Sequence, residues 1–123
     1  NPVLGHINTF GGNAVCVRAA EAALKVILEN NLPARARQIE KIIVSELTHP
    51  LIKDLRVHGA LGAIDFEDET LNMRVIRSCI DHGLITDWFL FCSTAMRIAP
   101  PLVITDEELR AAITTIKKVL DGI

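Results

Sequence analysis

The sequence predicts an α+β fold in which helices pack on one face of a small antiparallel or mixed sheet. The predicted order of elements is helix, helix, hairpin, helix, two short strands and helix, which is the pattern of such a layer. The 123 residues are enough for one hydrophobic core. Half of them are hydrophobic, which is high for a small monomer, so we expect part of the surface to be covered within a larger assembly.

Two helices are predicted first. Residues 14 to about 30 are apolar around most of the helix circumference, so we expect this helix to be buried on more than one side. Pro33 is suited to the first turn of a second helix, which ends near Leu47. Charged residues alternate with isoleucines there, which predicts an amphipathic helix with one face in water.

A hairpin and a third helix are predicted next. Residues 55–58 and 61–66 have the composition of two strands separated around Gly59. The acidic run 65–69 is predicted to close the second strand and to open a helix, because negative charge stabilises a helix N-terminus. That helix is expected over about 69–81, with Gly83 as a left-handed stop. Its inner face is predicted to consist of Leu71, Val75, Ile76, Cys79 and Ile80.

The last third of the chain is predicted as strand, loop, strand and helix. Residues 84–86 are expected to form a short strand and 87–94 a loop. Trp88, Phe89 and Phe91 in that loop either pack into the core or line a pocket or partner surface. Thr105 and Glu108 have the spacing of a capping box at the start of the final helix.

Arg97 is the first candidate site residue. Strand alternation places its neighbours Met96 and Ile98 on the buried face and Arg97 on the other. Pro100 and Pro101 lack backbone donors and direct the chain away from the sheet. A guanidinium stays charged, so it faces water, pairs with a carboxylate or binds an anionic ligand. The residues alone leave these three possibilities open.

The loop that precedes the first helix is the second candidate site. Gly11 and Gly12 permit a sharp turn, and Asn13 is suited to cap the helix. Asn8 and Thr9 add an amide and a hydroxyl to the main-chain N–H groups of a loop that enters a helix. Such loops suit anions, phosphate above all, although they are equally typical of ordinary turns.

Composition argues against several other functions. The net charge of −2 and the scattered lysines and arginines argue against nucleic-acid binding and against anionic membrane surfaces. No apolar run is long enough to span a membrane, and no signal peptide opens the chain. Three cysteines without CxxC spacing predict free thiols, no metal site and a cytoplasmic protein. Because the chain starts at Asn1, we expect its natural beginning to be missing.

The two candidate stretches together resemble a known family, over essentially the whole chain. Residues 5–13 read Gly-His-x-x-Thr-Phe-Gly-Gly-Asn, which resembles a loop of the class-III pyridoxal-phosphate aminotransferases that include the ornithine, acetylornithine and lysine ε-aminotransferases. Residues 97–109 read Arg-Ile-Ala-Pro-Pro-Leu-Val-Ile-Thr-x-Glu-Glu-Leu, which resembles their C-terminal motif. The two motifs also occur in the same order.

The resemblance implies a role for each candidate residue. Thr9, together with Asn8, would bind the phosphate of pyridoxal 5'-phosphate in the neighbouring subunit of a homodimer, and Arg97 would bind a substrate carboxylate. The whole enzyme would transfer an amino group between a donor such as ornithine, acetylornithine or lysine and a 2-oxo acid. The Schiff-base lysine would belong to a large domain that precedes this chain, so the chain would hold no catalytic residue and be inactive alone.

Under the same resemblance, residues 1–31 would form an interface loop and a helix leading from the large domain. Residues 32–123 would form the small C-terminal domain of a fold-type I transferase. One position and one segment depart from the family pattern: Ala14 replaces a proline, and residues 58–62 replace an Arg-Gly-x-Gly signature. The alternatives are a freestanding module that binds a small carboxylate ligand and a dimerisation domain without chemistry.

Overall fold

The structure, a computed structural model, describes residues 9–123. The chain divides into two compact units, Asn1–Leu32 and Pro33–Ile123. In the first unit a turn over residues 9–12 leads into helix α1, Ala14–Glu29. The side chain of Asn13 caps this helix, as predicted, by accepting hydrogen bonds from the backbone N–H groups of Val15 (3.1 Å) and Cys16 (3.2 Å).

Helix α1 is exposed along its whole length in this chain. Every residue from 9 to 31 is exposed, although most residues of the helix are apolar. The expected burial on more than one side is therefore wrong for the chain by itself. The alanines, leucines, glutamates and lysine of this segment favour a helix intrinsically, so the helix does not depend on packing within the chain for its conformation.

The second unit contains the remaining elements. They are α2 (Leu32–Glu46), β1 (Asp54–His58), β2 (Leu61–Asp65), α3 (Glu69–Asp81), β3 (Asp87–Phe89), β4 (Cys92–Ile98) and α4 (Asp106–Asp121). The strands form one sheet in the order β1-β2-β4-β3, and all neighbouring strands are antiparallel. The predicted α+β class is confirmed, and the sheet is antiparallel rather than mixed.

One face of this sheet is covered by helices. Ile64 of β2 and Met96 of β4 are fully buried on that face. They belong to one core cluster with side chains from all three helices of the unit and with Leu47, which follows α2. The helical members are Ile39 and Ile43 of α2, Val75, Ile76 and Cys79 of α3, and Leu109, Ile113, Ile116, Val119 and Leu120 of α4. The opposite face of the sheet carries Arg56 and Arg97 on either side of Ala63.

Most helix ends agree with the predicted signals. The capping box at α4 is present: Thr105 Oγ1 accepts from the Glu108 N–H (3.2 Å), and Glu108 Oε2 accepts from the Thr105 N–H (2.9 Å). The hydrogen bonds that the Thr105 N–H and the Thr105 hydroxyl (3.0 Å) donate to the Glu108 carboxylate lower the pKa of Glu108. Gly83 has a φ of 81°, which is the predicted left-handed stop after α3.

Two predictions about this unit are wrong. Residues 84–86 form no strand: Thr86 instead donates from its hydroxyl to the Arg97 carbonyl (2.5 Å), and strand β3 lies within the segment predicted as a loop. On α3, Ile80 is 49% exposed, whereas the polar Asn72 is fully buried. The Asn72 amide nitrogen donates to the Ser93 carbonyl (2.7 Å) at the start of β4, whereas its Oδ1 is buried without a hydrogen-bond partner.

Candidate functional site

Arg97 lies on the face of the sheet that points away from the core. Its neighbour Met96 is fully buried, whereas the Arg97 side chain is 44% exposed, so the predicted alternation is confirmed. Its cross-strand neighbours are Ala63 on β2 and Asp87 on β3. A guanidinium Nη2 of Arg97 donates to Asp87 Oδ2 over 3.3 Å.

The ion pair between Arg97 and Asp87 is weak in physical terms. Both side chains are about half exposed, and the contact is a single one at the long end of hydrogen-bond distances. Such pairs contribute about 0–1 kcal/mol because water screens them. A guanidinium has five donors, so this contact leaves capacity for a bidentate carboxylate. The Arg97 guanidinium therefore both faces water and pairs with a carboxylate, which are two of the three possibilities that the sequence left open.

A pocket of about 430 Å³ adjoins Arg97 on this face. Its floor is the small side chain of Ala63, which is the cross-strand partner of both Arg56 and Arg97. The strand pairing thus sets two arginines on either side of one alanine. The pocket is lined by Arg56, Ala63, Phe89, Leu90, Phe91, Cys92 and Arg97.

Arg56 differs from Arg97 in how fully it is paired. It donates to Asp54, and its Nη2 donates to Asp65 Oδ2 over 3.1 Å. The hydrogen bonds to Asp65 and Asp54 raise the pKa of Arg56. Because two carboxylates compensate its charge, the Arg56 guanidinium attracts an incoming anion less strongly than the Arg97 guanidinium does.

Asp65, at the end of β2, accepts several hydrogen bonds. It accepts hydrogen bonds from the Glu67 N–H (3.0 Å), the Thr94 hydroxyl (2.9 Å) and Arg56. These three donors, the Glu67 N–H foremost, lower the pKa of Asp65 and keep it ionised. The acidic run 65–69 closes β2 at Asp65 and opens α3, as predicted. Asp68 caps α3 by accepting from the Leu71 N–H (2.7 Å).

The aromatic segment near Arg97 forms a hairpin rather than a loop. Phe89 pairs with Cys92, so Leu90 and Phe91 are the two loop residues between β3 and β4. Trp88 is 43% exposed and Phe91 is 98% exposed, which excludes core packing for Phe91 within this chain. Sequence reasoning missed this hairpin and the role of Asp87, because the loop lacks the glycine or asparagine that usually marks such a turn.

The phosphate-binding candidates lie in the first unit. Thr9 is exposed at the start of the turn that leads to the Asn13 cap, and Gly12 in that turn has a φ of 77°. Asn8 lies outside the described residues. An exposed hydroxyl ahead of a capped helix is able to donate to a phosphate oxygen, so Thr9 is compatible with the predicted role.

The described part of the chain holds neither a metal-binding cluster nor a membrane-spanning helix. Over residues 9–123 there is no group of three or more histidine, cysteine or acidic side chains placed to hold a metal ion. In the same range no helix is both long and apolar enough to cross a membrane.

The sequence of this chain is similar to those of known proteins. The family model for aminotransferase class-III matches residues 1–120. The chain is 37% identical to an ornithine aminotransferase of Geobacillus sp. (strain WCH70), over 96% of the chain and 29% of that protein. It is 35% identical to an acetylornithine aminotransferase of Mycolicibacterium smegmatis, over 94% of the chain and 30% of that protein. The chain therefore spans about 30% of the length of these curated relatives.

Solved structures give the same result. The ornithine aminotransferase of Toxoplasma gondii matches all of this chain with a TM-score of 0.80 and 33% identity, over 30% of its own length. The resemblance of the two motifs, the α+β fold and the match of the family model agree with one another. This chain is a member of the class-III aminotransferase family.

Proposed function

We propose that this chain is the C-terminal part of a longer protein, hereafter the parent protein, that transfers an amino group between an amino donor and a 2-oxo acid on pyridoxal 5'-phosphate. Ornithine, acetylornithine and lysine are the donors we propose, since relatives named for the first two are 37% and 35% identical to this chain. The observation that carries the proposal is Arg97, a half-exposed guanidinium beside a pocket, within the motif that resembles the family.

In this proposal Arg97 binds the carboxylate of the amino donor or oxo acid. A planar guanidinium suits a carboxylate because two parallel N–H donors meet its two oxygens. The strand fixes the orientation of the side chain: Met96 and Ile98 are held towards the core, so Arg97 must project from the other face. A carboxylate bound there competes with Asp87 for the same nitrogen.

Thr9 and Asn8 would hold the phosphate of the cofactor across a subunit interface. Thr9 is suited to this role by its exposed hydroxyl, and Asn8 by its amide. When bound, pyridoxal phosphate supplies the electron sink that transamination needs. The lysine that holds its aldehyde would lie in a large domain preceding this chain, so we propose that residues 1–123 are inactive alone.

Helix α1 supports the proposal of a homodimer. Its side chains Val15, Leu24 and Leu28 are 79, 56 and 67% exposed, which is an unusual amount of apolar surface to leave in water. We propose that residues 1–31 form an interface loop and a connecting helix, covered by the large domain and the second subunit, and that residues 32–123 form the small domain. Free thiols at Cys16, Cys79 and Cys92 support a cytoplasmic location.

An assay of the parent protein tests the proposal. Purified parent protein with pyridoxal phosphate is expected to convert a 2-oxo acid to its amino acid at the expense of ornithine, acetylornithine or lysine, whereas residues 1–123 alone are not. Formation of the amino acid is followed by chromatography. Absence of amino transfer from all three donors in a cofactor-loaded dimer would contradict the proposal, as would amino transfer by residues 1–123 alone.

A further inference from the structure

The tip of the β3–β4 hairpin is unusually apolar for its position. Leu90 and Phe91 are its two loop residues, and they are 81 and 98% exposed. Two-residue hairpin loops favour glycine, asparagine and aspartate, because these residues tolerate the backbone angles required. Neither turn chemistry nor packing within the described unit therefore accounts for a leucine and a phenylalanine here.

These side chains line the same pocket as Arg97. Phe89, Leu90 and Phe91 form one wall, Ala63 forms the floor, and Arg97 contributes its guanidinium. The volume of about 430 Å³ lies within the range of small-molecule sites. An apolar wall beside one orienting charge is also the usual composition of such sites, in which the charge fixes the ligand and the wall contacts its body.

The charges of the pocket favour a ligand with a single carboxylate at this end. Arg56 is compensated by Asp54 and Asp65, whereas Arg97 has one weak contact with Asp87. A second carboxylate placed near Arg56 would have to compete with two aspartates, one of them only 14% exposed. The rest of a ligand held by Arg97 meets the three apolar side chains instead.

We propose that the β3–β4 hairpin tip is a specificity-determining wall of the substrate site, and that it contacts the hydrocarbon chain of the carboxylate substrate that Arg97 holds. The inference rests on the proposed function, since it assigns the carboxylate of a substrate to Arg97. Phe91 is the main determinant, because it is the most exposed of the three and has the largest area to bury against a ligand.

Binding of two probes to the cofactor-loaded parent protein tests this inference. The probes are butanoate and 3-phenylpropanoate, which share a carboxylate and differ in the aromatic ring, and their dissociation constants are measured by titration calorimetry. We expect 3-phenylpropanoate to bind about tenfold more tightly than butanoate, as burial of a ring against an aromatic wall predicts. Phe91→Ser is expected to remove most of that preference and to leave butanoate binding within about twofold.

Val103→Ser is the matched control, because Val103 is another exposed apolar residue (71%) and does not line the pocket. It should leave both dissociation constants unchanged. Equal binding of the two probes to the parent protein, or a preference that survives Phe91→Ser, would overturn the inference. So would an equal loss of both probes in Phe91→Ser, since that is the result expected if the hairpin tip instead packs against the rest of the parent protein.

The proposed function has a separate readout in the amino-transfer assay. If the ring preference and its loss in Phe91→Ser are observed while amino transfer is absent, the wall is supported and the proposed reaction is contradicted. If amino transfer is observed while the probes bind equally, the reaction is supported and the wall is overturned.

Discussion

Arg97 on β4 and Asp87 on β3 are cross-strand partners, and their side chains meet at 3.3 Å on the open face of the sheet. The pairing is set by the backbone register, so Asp87 is held beside the guanidinium whether or not a ligand is present. Because both side chains are about half exposed, the pair adds little stability. The ion pair instead affects ligand binding, since Asp87 competes with any carboxylate that approaches Arg97.

Replacing either partner should therefore change substrate binding in opposite directions. In the parent protein, Arg97→Ala is expected to raise the KM for carboxylate substrates by a factor equivalent to about 1.5–3 kcal/mol, because a charged hydrogen-bonded contact is lost. Asp87→Asn is expected to lower that KM by a few-fold, since it removes the competing charge. Steady-state kinetics with the amino donor measure both.

Arg97→Lys is the control for this pair, because it keeps the charge and loses the planar fork. Its KM should lie between those of the parent protein and Arg97→Ala. Unchanged kinetics in Arg97→Ala would remove this residue from the substrate site, and a raised KM in Asp87→Asn would show that Asp87 positions the guanidinium rather than competing for it.

Adjacent residues on β4 should differ sharply in their effect on stability. Met96→Ala is expected to cost about 2–5 kcal/mol, because Met96 is fully buried and its truncation leaves a cavity. Arg97→Ala should change stability by less than about 1 kcal/mol, since its ion pair is exposed. Thermal unfolding of the two variants beside the parent protein measures the difference, and similar unfolding temperatures would contradict the assigned faces of the strand.

The hydrogen bonds around Asp65 predict that the stability of the folded protein depends on pH. The pKa of Asp65 is lower in the folded protein than in the unfolded chain, so its contribution to stability is fully present above the unfolded pKa of about 3.9. That contribution is lost as the pH falls through the lower, folded pKa. Asp65→Asn should therefore cost about 1.5–3 kcal/mol at pH 7 and progressively less below about pH 4.

Unfolding temperatures between pH 7 and pH 3 for the Asp65→Asn variant and the parent protein measure this convergence. Asp68→Asn is the matched control, because Asp68 also accepts a backbone hydrogen bond, and asparagine caps a helix nearly as well as aspartate. A constant difference between Asp65→Asn and the parent protein across this range would contradict the assignment.

Thr9→Ala should weaken retention of the cofactor rather than the reaction itself. The expected result is faster loss of pyridoxal phosphate from the parent protein on dialysis, because one hydroxyl donor to the phosphate is removed, at a cost of about 0.5–1.5 kcal/mol. Thr9→Ser keeps the hydroxyl and should retain the cofactor. Absorbance of the bound cofactor measures the loss, and equal dissociation in Thr9→Ala and the parent protein would contradict the role.

The sequence by itself determined the features that depend on local chemistry. The Asn13 cap and the capping box at Thr105 follow from side chains that satisfy nearby backbone groups, and both are present. The bounds of α3 follow from its acidic start and the glycine after it. The position of Arg97 on the open face follows from strand alternation alone, because its neighbours are strongly apolar.

The tertiary structure decided everything that depends on which strands become neighbours. Asp87 belongs to a strand because it pairs with Arg97 in the β3–β4 hairpin, and residues 90–91 carry no turn signal that would indicate this hairpin. The pairings of β1 with β2 and of β2 with β4 bring Arg56, Ala63 and Arg97 into one row, and the pocket lies beside them. Local sequence specifies how a side chain points from its strand, but sheet order specifies which side chains it meets.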